Sequence, residues 1–137
     1  MASKTAVNNE KAPDIRRIFN WGVRLTDFEE IFLLAGRGDV GPYGAVRNPG
    51  DPVAQTASIL TEQKGFIEAS GYTLNDVIRI EFTISKEVSR DQQEAIFDRF
   101  AGFFADVDVK PAAGTLRVVE RLAFPGMLVE YEMWLAR

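Results

Sequence analysis

The chain predicts an α+β domain in which two helices lie on one face of a sheet, in the order β-β-α-β-α-β-β. Three observations carry that expectation. A length of 137 residues with 46% apolar content suits a single core. Two stretches with helical spacing each begin at a capping residue. No repeat, low-complexity stretch or linker divides residues 1–137, so they are read as one domain.

Taken in order, residues 1–12 lack a periodic apolar pattern and are expected to be a flexible lead-in. "RRIFNWGVRL" and "EEIFLLAG" then read as two strands joined by the short "TDFEE". The continuous apolar run from Ile31 to Ala35 predicts a strand covered on both faces. "GRGDVGPYGAVRNPGDP" is a loop by its Gly and Pro content. Its "RGD" tripeptide is too short to carry an integrin reading.

Asp51 followed by Pro52 is a good N-cap and first-turn pair for a helix running to about Ser70, with Gly71 as its stop. Val53, Ala57, Leu60 and Ile67 mark its expected inner face. "VIRIEFTI" alternates as a half-buried strand does. Ser89 and Gln92 form a capping box for a second helix. Its aromatic stripe, from Ile96 through Phe100 and Phe103 to Val107, reads as core rather than as a cofactor box. "TLRVVERL" and "LVEYEMW" close the chain as two strands around a turn at Pro125 and Gly126.

Composition removes many functions. With no Cys and no His there is no disulfide, no thiolate nucleophile, no Ser-His-Asp triad and no imidazole or thiolate metal site. No metal or cofactor is expected. A net charge of −4 without a Lys/Arg run argues against a nucleic-acid partner. The polar start and the lack of a long apolar run argue against export and membrane insertion, so a cytoplasmic location is expected.

With both helices on one sheet face, the opposite face would carry Val119, Leu128 and Trp134 among Arg117, Arg121, Glu130 and Glu132. Such a half-apolar face usually finds a partner. The two carboxylates of "LVEYEMW" have two readings. They pair with arginines, Arg121 falling opposite Glu130 across the turn, or one of them belongs to a site.

The order of "FNWGVRL", "IFLLAGRG", "GYTLNDVIRIEFTI" and "ERLAFPGMLVEYE" resembles that of the Rid (YjgF) family over nearly the whole chain from about Ile15. The resemblance implies a chorismate-mutase-like fold with a mixed sheet. It further implies a homotrimer with a central barrel, and a small-molecule pocket at each subunit interface. It also implies cofactor-independent hydrolysis of reactive enamines or imines to a carbonyl compound and ammonia. The alternative is a noncatalytic trimer that binds a small metabolite or acts as a chaperone. A ribonuclease, as some relatives are described, suits the acidic charge and the absent His least.

Position by position, the family's water-holding glutamate corresponds to Glu130, and its "Ser-Gly-Gln" loop to Ala35, Gly36 and Arg37. Its first-strand aromatic corresponds to Phe19, with Trp21 nearby, and a frequent cysteine to Leu116. The carboxylate-binding arginine of "Pro-Ala-Arg-Ser" falls at Gly114 in "KPAAGTLRVVERL". This departure implies a substrate other than 2-aminoacrylate. Either the pocket gains room for a larger ligand or one lacking that carboxylate, or another arginine takes over. Arg37 is the first substitute, with Arg117 and Arg47 behind it, and Tyr43 a weaker contributor from the same loop.

Overall fold

A computed structural model describes residues 2–137. Strands β1 (Ser3–Val7), β2 (Gly22–Thr26) and β3 (Ile31–Leu33) precede helix α1 (Pro52–Ala69). Then come β4 (Val77–Ser85), α2 (Arg90–Phe103), β5 (Ala112–Val119) and β6 (Val129–Ala136). The main sheet has the order β3-β6-β4-β5, and β1 and β2 form a separate antiparallel pair. Only β4 and β5 run parallel, with α2 as their crossover, so the sheet is mixed.

Both helices start as their caps dictate. The Asp51 carboxylate accepts from the Ala54 N–H at 3.0 Å, and Ser89 and Gln92 bond reciprocally at 3.1 and 2.9 Å. Gly71 ends the first helix with φ +85°, a conformation that costs glycine nothing. Ile80, Phe82 and Ile84 of β4 and Val129, Tyr131, Met133 and Leu135 of β6 meet Ile59, Ile67, Ile96, Phe100 and Phe104 in one core. The helices therefore cover one sheet face.

Four expectations are corrected. The lead-in is not free: Ser3–Val7 pairs with β2, and Lys4 Nζ donates to the carbonyls of Asn75 and Val77 at 2.9 and 2.8 Å. Pattern reasoning missed β1 because backbone pairing and one lysine hold it, rather than an apolar face. Of "RRIFNWGVRL" only Gly22 onward is strand, and Phe19 lies in the segment before it. The run Ile31–Ala35 is covered on one face alone, Ile31 and Leu33 being 52% and 60% exposed. Finally, β5 and β6 are not a hairpin. The turn forms, with the Met127 N–H donating to the Phe124 carbonyl, but β4 lies between the strands, so Glu130 faces Thr83 rather than Arg121.

The inner face of α1 also differs from the apolar stripe. Gln55, Thr56 and Gln63 are buried beside Ile59 and Ile67, whereas Val53 and Ala57 are only partly covered. Gln55 is saturated: its amide donates to the carbonyls of Asn48 and Gly126, and its oxygen accepts from the Leu128 N–H. Leu128 is thereby drawn into the interior instead of onto the open sheet face. Thr56 donates to the Pro52 carbonyl at 2.7 Å and accepts from the Tyr131 hydroxyl at 2.6 Å. Buried polar groups are tolerable because each has its partner.

Candidate functional site

The uncovered sheet face carries Ile31 and Leu33 from β3, Trp134 from β6, and the charged residues Arg79, Glu81, Arg117, Glu130 and Glu132. Alternation puts these side chains opposite the core residues of the same strands. Glu132 accepts from the Trp134 indole N–H at 3.0 Å, and the Arg79 guanidinium lies 5.8 Å from that ring's centre. Glu132 is thus engaged locally. Glu130 is not: among the described residues no hydrogen bond or ion pair reaches its carboxylate.

What the Glu130 carboxylate does touch is Gly36. A Cβ added at Gly36 would stand 2.6 Å from Glu130 Oε1, so the acid lies directly on that backbone. The placement follows from pairing: Arg37 and Tyr131 exchange backbone hydrogen bonds of 2.8 and 3.1 Å, laying the Gly36 segment along β6. A side chain at position 36 would push the Glu130 carboxylate off this backbone.

Arg37 itself is occupied. Its guanidinium donates to the Val40 carbonyl at 2.7 Å and pairs with Glu62 at 2.6 Å. Arg47 pairs with the same Glu62 and with Asp39, and Arg117 pairs with Glu81. Asp39, the acid of the "RGD" tripeptide, is fully buried and also accepts from Ser58 and Asn48. All three candidate anchors already have carboxylate partners, and Tyr43 stands 98% exposed without joining the site.

Gly114 brings a further correction, because it opens no room along its side-chain direction. A Cβ there would meet the Ile80 carbonyl at 2.3 Å and Glu81 Oε1 at 2.6 Å. The cause is a bulge: Ile80 pairs with Ala113 and Phe82 with Leu116, so Gly114 and Thr115 together face Glu81. The Glu81 carboxylate accepts from the Thr115 N–H at 3.0 Å and from Arg117 at 2.8 Å, and also from Arg79. Burial pushes the Glu81 pKa up, but the Thr115 N–H and the two arginines outweigh it, and the group is more acidic than an ordinary glutamate.

Phe19, Trp21, Gly114 and Leu116 do converge, on a cavity of about 590 Å³ floored by Phe19 and Phe82. Phe97 and Glu94 of α2 line it too, and sequence reasoning assigned neither to a site. Phe97 adjoins the aromatic stripe read as core, and no motif marks Glu94. The cavity lies on the helix side of the sheet, since Phe82 and its cross-strand partner Tyr131 point into the core. Glu130, one residue along β6, points the opposite way. One chain therefore presents its glutamate and its cavity on opposite faces, with β4 between β6 and β5.

Among the described residues no cluster of acidic side chains could hold a metal, and no helix is long and apolar enough to cross a membrane. No protein-family model matches the sequence, and no curated protein matches it. Solved structures do. The chain is similar to YyfB of Yersinia pestis, described as a Rid-family protein of unknown function, with a TM-score of 0.84 and 24% identity over 98% of each chain. It also matches the Rid-family protein YyfA of Yersinia pestis, at a TM-score of 0.66 and 18% identity over 98% of this chain and 100% of that one. A third match is Rv2704 of Mycobacterium tuberculosis, a member of the YjgF/YER057c/UK114 family, at 0.61 and 22% over 98% and 100%. The chain has the Rid/YjgF fold.

Proposed function

We propose that this chain is a divergent member of the Rid family and works as a homotrimeric, cofactor-independent hydrolase of imines or enamines, releasing ammonia. The observation that carries the reading is the Glu130 carboxylate, seated on Gly36 and without an internal partner. A carboxylate left free beside a backbone suits the task of holding a water and passing its proton, and help of that kind is worth about 10² to 10⁴ in rate.

The opposed faces support a site completed by a second protomer. A small ligand cannot reach Glu130 and the Gly114 cavity of the same chain, so it must bind between two chains. Glu130 and Gly36 come from one protomer, and Phe19, Trp21, Gly114 and Leu116 from the next. The exposed Ile31, Leu33 and Trp134 favour that assembly. Being roughly half exposed, each offers about 1 kcal/mol on burial. This is less than association costs, so the rest of the face must contact as well.

Light scattering is expected to give a trimer of 15.3 kDa chains. Glu130→Gln is expected to leave that mass unchanged and to lower turnover of an accepted imine about a hundredfold or more. Mixed trimers of Glu130→Gln and Leu116→Trp chains are expected to regain part of the activity, because some interfaces then combine an intact glutamate with an intact cavity. A monomer, or full activity in Glu130→Gln, overturns the proposal.

A further inference from the structure

The cavity beside Gly114 has the wrong chemistry for an anionic substrate. Its interior is aromatic and aliphatic: Phe19 and Phe82 meet edge-on with centres 5.4 Å apart, and Phe97 packs against both at 6.4 and 5.8 Å. Charge appears only at the rim, on Asp14, Arg17, Glu94 and Asp98. Arg17 pairs with Asp98 at 3.1 Å and Asp14 with Arg16 at 2.8 Å, whereas Glu94 has no ion pair among the described residues. The uncompensated charge at the mouth is therefore negative.

A carboxylate entering this space would shed its water and find no cation inside, since buried charge is tolerated only when paired. No arginine can take position 114 without meeting the Ile80 carbonyl, and Arg37, Arg47 and Arg117 are held by Glu62, Asp39 and Glu81. A ring, by contrast, gains from every apolar contact there and from edge-to-face packing against the phenylalanines.

Resting on the hydrolase reading above, we propose that the site takes an apolar, ring-bearing imine with no carboxylate on the reacting carbon, an arylalkyl imine being the simplest member. The ring fills the cavity and leaves the C=N group at its mouth, toward Glu130 of the adjoining protomer. The water oxygen bonds to the imine carbon as its proton passes through the glutamate to nitrogen. A second proton transfer, from the new hydroxyl to nitrogen, lets the C–N bond break and ammonia leave with that electron pair. One water and one imine give one carbonyl compound and one ammonia.

The test compares two imines that share a ring, made in situ in the presence of the intact protein. A flavin amine oxidase acting on benzylamine supplies one without a carboxylate, and an amino-acid oxidase acting on phenylalanine supplies one with it. Faster release of benzaldehyde, with little effect on phenylpyruvate release, is expected. Glu94→Lys is expected to shift the preference about threefold to fivefold toward the carboxylated imine. Glu130-dependent hydrolysis favouring the carboxylated imine would overturn the substrate class and leave the hydrolase reading standing. If neither imine is accelerated, calorimetric titration separates the two ideas. Acetophenone binding without phenylpyruvate binding keeps the ligand class and ends the hydrolase reading; binding of neither, or of phenylpyruvate alone, ends the ligand class as well.

Discussion

Placing an arginine at position 114 is expected to damage the protein rather than to create a carboxylate site. The substitution Gly114→Arg needs a Cβ 2.3 Å from the Ile80 carbonyl and 2.6 Å from Glu81 Oε1. Glu81 can swing away, but Ile80 belongs to β4, one of the two inner strands of the four-stranded sheet, and is fully buried. Overpacking of this kind costs about 1–3 kcal/mol. Moving Glu81 also gives up its bonds to Thr115, Arg117 and Arg79; because both arginines are about half exposed, their share is about 1 kcal/mol. The sum is about 2–4 kcal/mol. With an unfolding entropy of about 2.1 cal/mol/K per residue, a chain of 137 residues loses roughly 3.5 °C per kcal/mol, or about 7–14 °C. Urea denaturation at one fixed protein concentration measures this, since assembly would otherwise enter the midpoint. Gly114→Ala brings the same Cβ against both Ile80 and Glu81 and is expected to cost about the same 2–4 kcal/mol. Gly114→Arg within about 0.5 kcal/mol of wild type, or binding pyruvate that wild type rejects, would refute the close-approach reasoning.

The buried hydroxyl pair allows an asymmetric comparison. Thr56→Val leaves the Tyr131 hydroxyl buried without a partner and is expected to cost about 1–3 kcal/mol, whereas Tyr131→Phe leaves Thr56 bonded to Pro52 and is expected to cost about 0.5–1.5 kcal/mol. Equal losses in denaturant titrations would mean that the hydroxyl finds another partner. At the N-terminus, burial lowers the Lys4 pKa to about 8 from its ordinary 10.5, opposed by the charges of Asp76 and Asp108. Between those two pH values the unfolded chain holds a proton that the folded chain has released, so stability is expected to rise with pH across that window. Subtracting the pH profile of Lys4→Met isolates the rise, and a flat difference would mean that β1 does not bury this amine.

How much of this could be read beforehand depends on the range over which each feature is encoded. Asp51, Pro52, Ser89 and Gln92 announce their helices because caps act within one turn, and the alternation of β4 is equally local. Strand partnership is not local: "TLRVVERL" and "LVEYEMW" look like a hairpin until β4 is known to stand between them. The inner face of α1 was hidden for a similar reason. Gln55 and Thr56 are buried by partners such as Gly126, Leu128 and Tyr131, more than 70 positions away, which no apolar periodicity reports. At the site, the resemblance pointed to Glu130 and Gly36 separately, and the Glu130 carboxylate lies on the Gly36 backbone. The occupation of Gly114's space by Glu81 was not legible, because it depends on a one-residue bulge between residues 33 and 34 positions apart, Ile80 with Ala113 and Phe82 with Leu116.

That bulge ties the two halves of the argument together. It lets the Thr115 N–H reach Glu81, and Glu81 gathers Arg79 and Arg117 on the open face. The positive charge of Arg79 and Arg117 is thereby held on the side of the sheet away from the cavity, whose rim cation Arg17 is paired with Asp98. The bulge and the apolar lining of the cavity both leave position 114 without a place for an anchoring cation. A side chain at position 114 would therefore need changes in residues 80–82 as well as 113–117, and not a single substitution.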